Sequence, residues 1–229
     1  MVLTDLSFAG GDVTAIVAAP IEKKDNSHIY VGLGVVYNQV FSTDYGFFDD
    51  SVQTQDETAG LTGLVGYEFN EYIAVEGRYN KTFFERDYSD TAYYSIFLKP
   101  QYKFRDEENT DDDNGYFTIY GLIGFGNTQV VGSEGDNDYN AWPEDIGRTM
   151  MDETGFQWGI GLSYTFVDDE DDQYYHHPDT WSIFADIVMV VKDADITATK
   201  LYDYGSGEDN TLYDKLSVHG ITAGILYHF

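Results

Sequence analysis

The chain has 229 residues, 42% hydrophobic and 17% aromatic, with no cysteine and a formal charge of −29. That charge repels phosphate backbones and so excludes nucleic acid as a partner, while the lack of thiols excludes disulfides and thiolate metal sites. No apolar run approaches the roughly 18–20 residues a membrane helix needs, but a strand spans a membrane with about 9–11 residues, half of them free to be polar.

Residues 1–9 close on Ser7-Phe8-Ala9, like the small-x-small end of a secretory signal, yet they hold Asp5 and no basic cluster, and they read as a signal remnant or a cloning scar. Residues 10–27, with Pro20, Lys23, Lys24 and Asp25, read as a polar lead-in, so 1–27 is one segment and 28–229 the folded domain. The first strand is predicted over Ile29–Val40, with Ile29, Val31, Leu33, Val35 and Tyr37 on one face and Gly32, Gly34 and Asn38 on the other. The second covers Ala59–Phe69, and a tight turn at Asn70-Glu71 leads to the third, Tyr72–Phe83, where Ile73, Val75 and Tyr79 oppose Glu76, Arg78 and Asn80. The fourth, Tyr93–Phe104, sets Ile96, Leu98, Pro100, Tyr102 and Phe104 against Phe97, Lys99, Gln101 and Lys103. Strands five to eight follow over Tyr116–Thr128, Gly155–Phe166, Trp181–Lys192 and Leu216–Phe229. In the sixth, Phe156, Trp158, Ile160, Leu162, Tyr164 and Phe166 alternate with Gln157, Gly159, Gly161, Ser163 and Thr165.

It is the bulky parity that is apolar, and the other parity carries glycine, hydroxyl and charge. A soluble barrel hides its large apolar side chains inside, whereas a transmembrane barrel shows them to lipid. The even strands end alike, on Tyr67-Glu68-Phe69, Tyr102-Lys103-Phe104, Tyr164-Thr165-Phe166 and Tyr227-His228-Phe229. Tyr67, Phe69, Tyr102, Phe104, Tyr164, Phe166, Tyr227 and Phe229 thereby predict an aromatic girdle along one rim. Connections after the odd strands are long, about 38–58, 84–92, 129–154 and 193–215, and the second connection is only two residues. The expected fold is all-β, an eight-stranded antiparallel up-and-down transmembrane β-barrel in the bacterial outer membrane, with both termini periplasmic and four acidic loops outside.

The alternating last strand Ile221, Ala223, Ile225, Tyr227, Phe229 is similar to the assembly signal read by the insertion machinery of outer-membrane barrels. Residues 29–229 resemble the small eight-stranded barrels of the OmpA transmembrane domain, OmpX and opacity-protein type. The resemblance implies outer-membrane lipid and the barrel assembly machinery as partners. It differs from full-length OmpA-type proteins in that the chain stops at the last strand, without their peptidoglycan-binding domain. The segments 105–115 and 167–180 are also longer than that family's short turns.

Inward positions collect Glu68, Glu76, Arg78, Lys99, Lys103, Asp186 and Lys192, with Arg105 nearby. An eight-stranded barrel has room only for side chains, so these charges are expected to pair as a polar plug, with a narrow cation-preferring ion path as the alternative. His176-His177 beside Asp171, Asp172 and Asp179 lack a second ligand pair at suitable spacing, and Asp136, Asp138 and Asn140 fail as a calcium loop because Ala141 and Gly147 stand where Gly and Glu belong. No metal site or cofactor is expected beyond weak association of Ca²⁺ or Mg²⁺ with the acidic loops. His219 near Ser217 is the one couple in the outer half that suggests hydrolysis, and it lacks a third member. The expectation is a non-catalytic barrel with a structural or surface-interaction role. The loop 129–154, with Tyr139, Trp142 and Met150, is the candidate contact for an extracellular partner. A soluble lipocalin-like ligand-binding barrel is the remaining alternative, and it requires the opposite facing.

Overall fold

The computed structural model describes residues 27–42, 53–85, 89–104, 115–132, 147, 149–166, 180–195 and 215–229. Eight strands run in chain order: β1 (His28–Ser42), β2 (Gln53–Asn70), β3 (Ile73–Glu85), β4 (Ser89–Phe104), β5 (Tyr116–Gly132), β6 (Thr149–Thr165), β7 (Thr180–Asp195) and β8 (Lys215–His228). Each pairs antiparallel with its sequence neighbours, and β1 pairs with β8, Tyr30 opposite His228, which closes the barrel. Closure leaves no unpaired sheet edge, which is what lets a sheet stand in hydrocarbon.

Facing follows the predicted parity. Trp158, Ile160 and Leu162 are 44%, 61% and 55% exposed on the outer wall, whereas Gln157 between them and Phe156 is fully buried. The four Tyr-x-Phe endings lie along one rim, and in each the two rings meet edge to face at centroid distances of 4.9–5.1 Å. Residues i and i+2 on one strand lean over each other in this way because both point outward, and the edge-to-face geometry suits their quadrupoles.

The strands are longer than the apolar pattern alone suggests. β2 starts at Gln53 rather than Ala59 and β6 at Thr149 rather than Gly155. Beyond the greasy belt the ladders continue with polar cross-strand partners. Asn127 donates to Asp152 at 2.7 Å and to Thr154 at 3.1 Å, and Lys81 meets Asp90 at 2.9 Å. The short connection falls at Glu71-Tyr72, one residue later than predicted. Asn70 ends β2 with its side-chain carbonyl accepting from the N–H groups of Tyr72 and Ile73, at 2.8 and 3.1 Å. The segments 105–114 and 167–179 lie outside the described residues, among which eight strands close the ring.

Two differences concern the interior. Lys192 was expected inside but is exposed, because β7 slips against β8 between Met189 and Val191 and again between Val191 and Ala194. These bulges bury Met189, Val190 and Val191 in succession and throw Lys192 outward. The lumen is also less polar than expected. Val36, Val40, Leu122, Val130, Met150, Met151, Val188 and Val218 form a buried apolar cluster with Tyr93, Phe97 and Tyr120.

Candidate functional site in the barrel lumen

Four charged side chains from three strands meet on the barrel axis side of the wall: Glu76 and Arg78 from β3, Lys99 from β4 and Asp186 from β7. Strand alternation aims all four inward, since Glu76, Arg78 and Asn80 share one parity, as do Lys99 with Phe97 and Asp186 with Phe184. Arg78 crosses the lumen with its guanidinium fork, donating from Nη1 to Asp186 Oδ1 at 2.9 Å and from Nη2 to Asp186 Oδ2 at 2.8 Å. Its Nε donates to Glu76 Oε1, so one planar cation spans two carboxylates. Lys99 Nζ approaches the other Glu76 oxygen at 3.0 Å. Two tyrosines complete the shell. Tyr30 Oη donates to Glu76 Oε2 at 2.7 Å, and Tyr120 Oη donates to Asp186 Oδ2 at 3.0 Å. The Lys99 ammonium stands 4.2 Å from the Tyr120 ring centroid and 4.9 Å from that of Tyr30, so the rings replace water around the cation.

Glycines make room for those rings. A Cβ on Gly66 would overlap the Tyr30 ring, and one on Gly161 would overlap Tyr120 and Asp186 Cβ. Both glycines sit at inward positions where any side chain would push a tyrosine off its carboxylate.

A second polar group lies nearer the aromatic rim. Glu68 is held at 2.7 Å by Lys103 Nζ, itself 5.6 Å from the Tyr116 ring centroid. His28 Nε2 and His228 Nδ1 are 3.0 Å apart, with Glu68 Oε1 at 3.8 Å from His28. Ser182 and Thr165 hydroxyls extend this chain of contacts from His228 toward β6, each step at 2.8 Å.

A bulky outward-facing wall, an aromatic rim and a lumen that holds paired charges coincide with a family match: the model of the outer membrane protein β-barrel domain covers residues 13–229. The chain belongs to that family. It is therefore an outer-membrane β-barrel protein. No curated protein matches the chain. Solved structures similar to this outer-membrane barrel include Ail, the attachment invasion locus protein of Yersinia pestis, with 18% identity and TM-score 0.46 over 89% of this chain and 99% of that one. Neisserial surface protein A is similar at 13% identity and TM-score 0.45 over 88% and 97% of the two chains. OprG of Pseudomonas aeruginosa is similar at 13% and 0.44, over 90% and 97%.

In the half of this outer-membrane barrel away from the aromatic rim, the interior has two sides. The apolar cluster is carried chiefly by β5 to β8, while Asn38, Thr58, Thr62, Asn80, Thr82 and Thr91 on β1 to β4 are buried polar groups. Asp56 is buried among them and accepts from the Ser89 N–H at 2.6 Å and the Ser89 hydroxyl at 2.7 Å.

Of the inward residues named from sequence, Glu76, Arg78, Lys99 and Asp186 meet in one network, and Glu68 pairs with Lys103 in the other. The eight girdle residues all point outward, with Tyr164 and Tyr227 half-buried against Phe117 and Trp181. Met150 is not a loop residue. It stands in β6 and is 2% exposed, inside the apolar cluster, because the β5–β6 ladder extends past the belt and bulges at Val130 and Val131. Tyr139, Trp142, Arg105, Asp136, His176 and His177 lie outside the described residues. Tyr30, Tyr120 and Asp56 are partners that the pattern alone missed. For the tyrosines, the legible signal was an aromatic on the inward parity of a strand whose neighbour offers an inward glycine.

Proposed function

We propose that this outer-membrane barrel is non-catalytic and closed to ions, and that it acts through the acidic loops it presents beyond the membrane, with both termini in the periplasm. The observation that carries the closed reading is the Glu76–Arg78–Asp186 bridge with Lys99, which ties β3 and β4 to β7 across a lumen with space only for side chains. Each charge of this network is paired and hydrogen-bonded, so the network has little to gain by opening to a passing ion. The non-catalytic reading is supported by His219, whose ring packs 4.8 Å from Phe41, and by Ser217, whose hydroxyl accepts from the Asp193 N–H at 2.9 Å.

The surface role is supported by charge placement. The lumenal networks use three carboxylates and three cations, so the excess of the 41 acidic over the 12 basic residues lies elsewhere in the chain. Such loops attract Ca²⁺ or Mg²⁺ weakly and suit contact with cationic envelope components or cells. The lipid wall itself, and an assembly machinery that reads the last strand, complete the partners of this reading. The soluble lipocalin-like alternative falls, since Trp158, Ile160 and Leu162 face outward.

Reconstitution into planar bilayers tests closure: a flat trace is the expected outcome, and stable unitary steps overturn it. A narrow cation-preferring pore remains the second reading, favoured by Thr58, Thr62, Asn80 and Thr91, whose buried side-chain atoms find no protein partner. Buried polar atoms of this kind are normally met by water, so the arc on β2 to β4 fits a wet vestibule that ends on the charged bridge.

A further inference from the structure

Closure of the barrel brings together two histidines that are 200 residues apart in the chain. His28 opens β1 and His228 ends β8, and Glu68 lies opposite His28 on β2, so three potential donors come from three adjacent strands. One ligand atom from each lies within 4.8 Å of the others, the only such cluster among the described residues. We propose that His28, Glu68 and His228 form a binding site for a divalent first-row transition ion of the zinc class, at the aromatic rim of the lumen.

Ligand chemistry favours this class of ion. Two imidazole nitrogens and one carboxylate oxygen suit zinc and its neighbours, while calcium and magnesium prefer all-oxygen sets. Ligand bonds of about 2.0–2.2 Å in a tetrahedron put donor atoms roughly 3.3 Å apart. His28 Nε2 and His228 Nδ1 are 3.0 Å apart, and His28 Nε2 and Glu68 Oε1 3.8 Å, so small side-chain rotations complete the set. Two of the three ligands are already oriented from behind. His228 has its other nitrogen, Nε2, on the Ser182 hydroxyl at 2.8 Å, and Ser182 is tied in turn to Thr165 at 2.8 Å. Glu68 presents Oε1 to the site because Lys103 holds Oε2 at 2.7 Å. Support of this kind fixes tautomer and ring direction in metal-binding histidines. His28 is less buried than the other two, at 12% side-chain exposure, and leaves the site open toward the rim.

The test uses the full chain refolded in detergent, stripped with chelator and equilibrated with zinc in excess magnesium. Bound zinc is counted by elemental mass spectrometry and affinity read by calorimetry. Each variant is checked for folding by the mobility difference between boiled and unboiled samples. The expected result is one zinc per folded barrel, unchanged in the double variant His176→Ala/His177→Ala. Affinity falls at least about 100-fold in His28→Ala and in His228→Ala, each still heat-modifiable. Ser182→Ala weakens binding by about 10–100-fold, the usual effect of removing a residue that orients a ligand, and Ser182→Thr restores it. Folded wild type that binds no zinc, or binding that His28→Ala and His228→Ala leave unchanged, overturns the site.

Discussion

Arg78 illustrates what one side chain does inside a barrel this narrow. It bridges two carboxylates at once, with Lys99 supplying the second positive charge, and its guanidinium also lies 5.6 Å from the Phe97 ring centroid and 5.9 Å from that of Phe184. Arg78→Ala leaves Asp186 shielded from water with no cation, while Glu76 keeps Lys99, and breaking a buried pair from one side typically costs about 3–5 kcal/mol. Urea unfolding of the refolded variant should show a loss of that order, and Arg78→Lys should recover only part of it because an ammonium lacks the fork. A loss under about 1 kcal/mol would mean that the bridge contributes little to holding the lumen together. Parity alone marked Glu76, Arg78, Lys99 and Asp186 as inward, but not who meets whom. Partners in a closed sheet depend on shear and on side-chain length across the lumen, so Tyr30 and Tyr120 were not identifiable as donors to Glu76 and Asp186.

Strands carry a depth scale as well as a parity. Along β6 the outward residues run Phe166, Tyr164, Leu162, Ile160, Trp158 and Phe156, then change to Thr154 and Asp152. Ten residue steps at about 3.3 Å, tilted by about 40°, give a belt close to 25 Å high, the height of the apolar band in outer-membrane barrels. Ile160, near its middle, should tolerate charge worst. Ile160→Arg is expected to destabilise the barrel in lipid vesicles by about 2–4 kcal/mol, against about 0–1 kcal/mol for Phe166→Arg at the rim. Equal costs at the two depths, read by denaturant titration, would contradict the belt. The greasy parity thus marked the outward wall and placed the strand ends poorly, because polar ladders such as Asn127 with Asp152 continue the sheet without any apolar signal. Bulges were the other blind spot. Two slips of β7 against β8 reversed Lys192, and an extra residue in β6 took Met150 out of the expected loop.

At the scale of the molecule, eight strands hydrogen-bonded in a closed ring should resist detergent until heated. Unboiled protein from membranes should migrate differently from boiled protein on a gel, whereas partition into the soluble fraction would contradict a membrane wall made of Trp158, Ile160 and Leu162. This architecture was legible from the two-residue period and the four repeated endings, each of which is a local pattern. Ring closure brings residues 28 and 228 together, and only the three-dimensional arrangement reveals the His28–His228 neighbourhood.

The three carboxylates and three cations of the two lumenal networks cancel, each network by itself. Removing one partner therefore strands a whole charge behind the lipid wall, whereas removing a matched couple strands none. The double variant Glu68→Gln/Lys103→Gln should accordingly lose less stability in urea unfolding than Lys103→Gln alone.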